Sequence, residues 1–181
     1  MGYKLFAKRL LDVAVSAIVL IALSPLFLIL SVAVKIDGPG PVFVAKLRRT
    51  YANRTISVLT FRCDNLNHQP SWFGGLMMRT GLYHLPTFIN VLRGDMSIVG
   101  PRCYSETGLI SADAKRCLAV LANSPLRPGM LNCSDVSDSK SCHQRIHDDL
   151  FYVMNWSLLF DAKIVLRQLC SRASYYQDET P

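Results

Sequence analysis

No Cys-x-x-Cys pair occurs among the six cysteines, Cys63, Cys103, Cys117, Cys133, Cys142 and Cys170, and their spacing is irregular. This argues against a secreted disulfide scaffold, which would be smaller and denser in cysteine, and for reduced thiols in a cytosolic compartment. Paired zinc knuckles are also missing, so the loose group Cys133, Cys142, His143 and His147 reads as unrelated core and loop residues. Acidic residues are in deficit, 13 Asp and Glu against 20 Lys and Arg, for a formal net charge of +7. That balance favours anionic surfaces such as lipid headgroups or nucleotide phosphates. Nucleic acid is not expected as a partner, because no recognition module and no aromatic-basic stacking pattern occurs. No internal repeat or low-complexity tract interrupts the 181 residues, half of them apolar, which suffice for one domain with a core.

Charge is absent altogether from Val13 to Val34. This is about the 20 apolar residues that cross a bilayer core as one helix. The run accounts for a mean hydropathy of +0.23, high for a freely soluble protein. Lys4, Lys8 and Arg9 precede it, and Lys35, Lys46, Arg48 and Arg49 follow. Basic residues prefer the cytoplasmic side of each boundary, so charge on both flanks conflicts with a simple crossing. Ser24-Pro25 near the middle of the run predicts a kink, because proline removes a backbone donor and clashes with the preceding turn. The expected form is a re-entrant helix that bends at Ser24-Pro25 and returns, with Ser24 helping to satisfy the freed backbone groups. A full crossing is the alternative. A cleaved signal peptide is disfavoured by the length of the run, by the early Asp12 and by the lack of a small-residue cleavage site. Residues 1–36 are therefore expected to form a membrane anchor, and 37–181 a small cytosolic domain on the membrane surface.

Ile36-Asp37-Gly38-Pro39-Gly40-Pro41 is dense in turn formers and marks the exit from the helix. Val42–Val44 and Ile56–Leu59 read as short strands flanking a basic connection that holds Lys46, Arg48, Arg49 and Arg54. Asn65 to Gly75 reads as loop, Leu85 to Leu92 as a short helix ending near Gly94, and Gly100-Pro101 as a stop. Ala112 to Leu121 reads as an amphipathic helix, Pro125 to Asp138 as loop, and Cys142 to Leu169 as one or two helices. The expected fold class is α/β, mostly helical, with one small sheet.

Leu82-Tyr83-His84-Leu85-Pro86 and the following Asn90-Val91-Leu92-Arg93-Gly94-Asp95-Met96-Ser97-Ile98-Val99-Gly100-Pro101-Arg102 resemble the centre of the bacterial sugar transferases. These are small monotopic phosphoglycosyl transferases that start exopolysaccharide and glycan assembly. The similarity runs nearly the whole length. It takes in Lys8-Arg9-Leu10-Leu11-Asp12, Ser24-Pro25, Asp37, Gly40-Pro41-Val42-Phe43, Arg48, Phe61-Arg62 and Arg127-Pro128-Gly129. It closes with Asp149-Leu150-Phe151-Tyr152-Val153-Met154-Asn155-Trp156-Ser157, Asp161, Lys163-Ile164 and Arg167. The resemblance implies transfer of a sugar 1-phosphate from a nucleotide diphosphate sugar to a polyprenyl phosphate, at the cytosolic face of the bacterial inner membrane. It implies a carboxylate nucleophile, a neighbouring carboxylate that helps hold Mg2+, and arginines such as Arg62, Arg102 and Arg127 on phosphate oxygens. Expected partners are membrane lipid, polyprenyl phosphate, nucleotide sugar, and an active transferase or other polysaccharide-assembly proteins.

The family's Asp-Glu pair is replaced by Tyr83 and His84. An unperturbed tyrosine, with a pKa of about 10, is protonated at neutral pH, and a neutral imidazole is a poor magnesium ligand. Further departures are Thr60 for a usual lysine, Cys63-Asp64 for Ser-Met, Lys46 for glutamine, Thr87 for glutamine and Cys103 for proline. Thr50 and Asn53 stand where glycines are common, and Met130-Leu131-Asn132 lacks the usual Thr-Gly. Scaffold residues are kept and chemistry residues changed. The leading expectation is a catalytically impaired homologue that needs no cofactor. One alternative is an active enzyme in which His84 or Tyr83 forms the covalent intermediate or Asp95 takes the metal. The other is a non-catalytic membrane-interface protein, including a regulator of polysaccharide synthesis. Asp95 also has a simpler role available, bracing the turn after Gly94, and Tyr152 and Trp156 read as core or interface anchors.

Overall fold

A computed structural model describes residues 2–52, 54–64, 69, 71–103, 121–133 and 142–177. In chain order the elements are α1 (Gly2–Ala22), α2 (Ser24–Ile36), β1 (Phe43–Arg49), β2 (Thr55–Phe61), α3 (Trp72–Thr80), a 3-10 turn (Leu82–His84) and α4 (Thr87–Arg93). There follow β3 (Ser97–Val99), β4 (Gly129–Leu131), α5 (Cys142–Met154) and α6 (Leu158–Gln177). The mixed, mostly helical class holds. The chain divides into two compact units, Arg9–Leu47 with Ile56–Asp95, and Met1–Lys8 with Arg48–Thr55 and Met96–Pro181.

The apolar N-terminal run is two helices bent by 65° at Leu23. Pro25 sits in the first turn of α2, where its missing N–H costs least. Leu23 N–H still donates to Val19 O and Phe27 N–H to Leu23 O, so the bend is confined to the proline step. Ser31 is the serine whose hydroxyl donates back into the helix, to Phe27 O at 2.7 Å. Among the described residues no single helix is long and apolar enough to cross a membrane, whereas the bent pair together has the length and composition to do so.

In the first unit the core gathers Leu30 and Val34 of α2, Phe61 and Cys63 at the end of β2, Met77 of α3 and Leu85. Phe27, Phe43 and Phe61 pack their rings in a triad, centroids 5.1–5.6 Å apart. The hairpin strands are longer than expected, so Lys46, Arg48 and Arg49 lie on β1 itself and not in a connection. Alternation lets exposed charges share a strand with half-buried Val44 and Arg48.

The loop expected over 65–75 gives way to α3 at Trp72. Ser71 caps the helix, its Oγ accepting from Gly74 N–H at 2.8 Å. Gly74 within this helix is required by packing: a Cβ there would lie 1.9 Å from the Cys63 carbonyl oxygen. Gly81 ends α3 and Gly94 ends α4, both left-handed with φ of 72° and 97°. The short helix expected near 85–92 is thus α4, preceded by the 3-10 turn. Thr87 Oγ1 donates to Leu59 O, Asn90 Nδ2 donates to Ser57 O, and Asn90 Oδ1 accepts from Leu59 N–H. Two buried side chains of α4 thereby do for β2 what a further strand would do.

The second unit contains another two-stranded sheet, so the single sheet expected becomes two. β3 and β4 run parallel, Ser97 opposite Gly129 and Val99 opposite Leu131. The loop expected over 125–138 therefore includes a strand. Tripeptide periodicity cannot reveal a strand this short. Val99, Tyr152 and Ile164 form the core here, with α5 and α6 dividing Cys142–Gln177 into two helices at Asn155–Ser157. The helix expected over 112–121 lies almost wholly outside the described residues.

Candidate functional site

Tyr83 and His84 occupy the 3-10 turn between Gly81 and the buried pair Leu85-Pro86. His84 N–H donates to Gly81 O at 3.2 Å and Leu85 N–H to Leu82 O at 3.0 Å, which closes the turn tightly. Both side chains are half-buried, with ring centroids 3.9 Å apart and planes tilted by 35°. Leu82 and Tyr83 also pack on the core of their unit. The turn therefore presents a phenol and an imidazole on a fixed backbone.

Magnesium requires near-octahedral coordination by hard oxygens, commonly carboxylates. Tyr83 and His84 do not supply such a set. Asp95 is exposed just after the Gly94 cap, and its backbone N–H donates to Asn90 O at 3.1 Å. That bond belongs to the backbone of the helix end and would form with any residue there. Among the described residues no three His, Cys, Asp or Glu side chains converge where a metal ion could sit. The side chains of Cys142 and His143 lie outside the described residues. The residues at the turn thus do not fit the ion that the resemblance implies.

Arg62 is engaged elsewhere than expected. Its Nη2 donates to Val34 O at 2.8 Å and Gly38 O at 2.6 Å, and its Nη1 donates to Pro39 O at 2.6 Å. The guanidinium fork closes the C-terminal end of α2, where carbonyls lack helical partners and the macrodipole favours a cation. Gly40 leaves room for it, since a Cβ there would meet Nη1 at 2.3 Å. Arg9 does the same for α4, donating to Val91 O at 2.7 Å and Leu92 O at 3.1 Å.

Arg102 and Arg127 belong to the other unit, where their motifs meet at the backbone. Gly129 N–H donates to Pro101 O at 3.0 Å, and Gly100 N–H donates to Leu131 O at 3.1 Å. A Cβ on Gly100 would lie 2.3 Å from Arg127 O, and one on Gly129 would lie 2.1 Å from Gly100 N. Glycine at both positions is dictated by this close approach. The Arg127 side chain is exposed and Arg102 is half-buried. Arg102 N–H donates to Asp149 Oδ2 at 3.1 Å, the atom that also accepts from Tyr51 Oη at 2.5 Å.

Sequence reasoning attached no specific role to Lys8, Asp149 or Asp161, although all three lie in the motif set. Lys8 Nζ is 2.5 Å from Asp161 Oδ2 in a nearly buried ion pair. Asp161 also accepts from Tyr152 Oη at 2.7 Å and Trp156 Nε1 at 3.2 Å. Tyr152 is a fully buried core residue, in line with its reading as an anchor. Asp161, set among Leu158, Leu159, Phe160 and Ala162, carried such a signal, whereas Lys8 and Asp149 each stand beside another charge, Arg9 and Asp148, and did not.

A family model described as Bacterial sugar transferase matches residues 3–174. The chain belongs to the bacterial sugar transferase family. Among the family's curated relatives, the UDP-N-acetylgalactosamine-undecaprenyl-phosphate N-acetylgalactosaminephosphotransferase of Aeromonas hydrophila is 29% identical over 91% of this chain and 43% of its own length. The UDP-glucose:undecaprenyl-phosphate glucose-1-phosphate transferase of Caulobacter vibrioides is 29% identical over 91% of this chain and 68% of its own. The exopolysaccharide production protein ExoY of Sinorhizobium fredii is 30% identical over 93% of this chain and 88% of its own. The chain thus spans under half of the Aeromonas relative and most of the Sinorhizobium one.

Proposed function

We propose that this chain is a catalytically impaired sugar-transferase homologue acting in polysaccharide assembly. On this reading α1 and α2, residues 1–36, form a re-entrant anchor in the bacterial inner membrane, and residues 37–181 lie on its cytosolic face. The observation that carries the reading is the turn at Leu82–His84, which holds Tyr83 and His84 where the family has its Asp-Glu pair. A protonated phenol does not attack a phosphate without a base, and imidazole does not replace a carboxylate on magnesium. The bent apolar helix pair supports the anchor. The names of the relatives support nucleotide sugar and undecaprenyl phosphate as the ligand classes that the fold would still meet. On this reading Arg102 and Arg127 are the arginines assigned to phosphate oxygens, whereas the Arg62 guanidinium already donates to three backbone carbonyls. The physiological role is then regulation of an active transferase or another polysaccharide-assembly protein in the same membrane.

The test is nucleoside monophosphate release across a panel of nucleotide sugars, with the protein in nanodiscs containing polyprenyl phosphate and Mg2+. The native chain is expected to be silent and the double variant Tyr83→Asp, His84→Glu to turn over. Release by the native chain, abolished by His84→Ala or Tyr83→Ala, would overturn the reading and identify one of the two as a new nucleophile.

A further inference from the structure

Trp72 opens α3 and is 85% exposed, the most exposed large apolar side chain in the described structure. Leu76, one helical turn on, and Met78 are about half exposed, and the exposed Arg79 closes the same helix. The opposite side of α3 is fully occupied: Phe73 and Met77 enter the core beside Leu30 and Val34 of α2, and Gly74 rests on the Cys63 carbonyl. Phe73 and Met77 are spaced for one face, and Trp72, Leu76 and Arg79 for another. The outward face is therefore not a leftover of core packing. A soluble helix of this length would carry polar residues there.

The surroundings select the occupant. α2, packed against α3 in the same unit, also turns an apolar side outward, with Leu28, Ile29, Val32 and Ile36 all exposed. From Asn65 to Gly94 the sequence contains no Asp or Glu, only the cations Arg79 and Arg93 and two histidines. A protein partner would meet few opposing charges to read, whereas an anionic headgroup layer is matched by this sign bias. Tryptophan at the boundary between apolar and charged residues is the side chain that prefers the headgroup depth.

We propose that α3 is a second membrane contact: Trp72 and Leu76 insert at the headgroup level of an anionic bilayer, and Arg79 pairs with lipid phosphate. The contact rests on the anchor reading above and extends it. The Tyr83–His84 turn follows α3 directly through Gly81, so docking of α3 fixes the height of that turn above the lipid.

The experiment uses the full chain in vesicles of zwitterionic and anionic phospholipid carrying bromine on shallow acyl carbons. The protein has two tryptophans, so Trp156→Phe leaves Trp72 as the reporter, and Trp72→Phe in the native background supplies the difference if the first variant fails to fold. Trp72 emission is expected to be roughly halved by the brominated lipid, and Leu76→Glu to remove most of that quenching. Vesicle flotation is measured alongside. A chain that floats with Trp72 unquenched would overturn the proposal and leave the anchor reading standing. A chain that does not float would overturn both. Emission that is unquenched yet blue-shifted in detergent and in vesicles alike would overturn the proposal in favour of a second copy covering the helix.

Discussion

Asn90 stands to Leu59 as a neighbouring strand would, its Oδ1 accepting the Leu59 N–H at 2.9 Å while its Nδ2 donates to Ser57 O at 2.7 Å. One amide thus satisfies both a donor and an acceptor on the β2 edge. Asn90→Ala leaves those groups without their partner in a partly buried setting, for a combined loss of about 1–3 kcal/mol. Denaturant unfolding of the protein in detergent is expected to show a loss in that range. A change below about 0.5 kcal/mol, the size of a neutral surface substitution, would contradict the edge role.

The Lys8–Asp161 pair is nearly buried, and Asp161 is further held by Tyr152 and Trp156. Removing one partner leaves the other charge unmatched, a loss of about 3–5 kcal/mol for a buried pair. Asp161→Ala and Lys8→Met are each expected to destabilise strongly, and the double variant by clearly less than their sum. Additive losses would show that the pair is energetically unlinked.

Arg62 separates two roles cleanly. Its fork spans Val34, Gly38 and Pro39 carbonyls, a geometry that the single ammonium of lysine does not reproduce. Arg62→Lys is expected to accelerate amide hydrogen exchange at the end of α2 and in 37–41. Unchanged exchange accompanied by weaker nucleotide-sugar binding would return Arg62 to the phosphate-binding set.

Gly74 and Gly75 are adjacent in α3 and should respond in opposite directions. A methyl at Gly74 would collide with the Cys63 carbonyl, whereas nothing lies within 4 Å of the corresponding position at Gly75. Gly74→Ala is expected to destabilise by about 1–3 kcal/mol through overpacking. Gly75→Ala is expected to stabilise by up to about 1 kcal/mol, the helix-propensity difference. Melting temperatures that move together would refute the packing described.

Burial pushes the Cys63 thiol above its ordinary range, aided by Asp64 and opposed by Lys46. Burial does the same at Cys103, where Arg48 opposes most, and at Cys133, where Asp148 and Asp149 add to it. A raised thiol pKa means that the unfolded chain ionises first as pH rises. These thiols therefore contribute stability that is present below the unfolded cysteine pKa and lost as pH climbs through the folded value. Maleimide labelling of the folded protein at neutral pH is expected to be slow at all three, with stability declining on the alkaline side. Rapid labelling of Cys63 at neutral pH would contradict its burial.

The sequence and the structure agree where a signal is local and strong. Pro25 announces the bend, Gly94 announces the end of α4, and the long C-terminal periodicity announces α5 and α6. The start of α3 was hidden because Gly74 and Gly75 read as loop, and the reason for the first of them, a carbonyl brought close by folding, is not encoded nearby. β4 escaped notice because three residues cannot display a period. The motif Leu82–Pro86 is contiguous, so which residues share its turn was legible. The use of Arg9 and Arg62 was not, because capping a distant carbonyl and binding a phosphate demand the same side chain. Only the fold decides which acceptor arrives.

The two-sided apolar character of α2 has a consequence for the order of synthesis. Leu30 and Val34 are covered by Phe61 and Met77, residues that leave the ribosome well after α2 itself. Until they arrive, both sides of that helix are bare, and an uncovered hydrophobic segment on a growing chain is prone to aggregate. On the anchor reading, insertion of nascent α2 into the bilayer would cover that helix before Phe61 and Met77 are made.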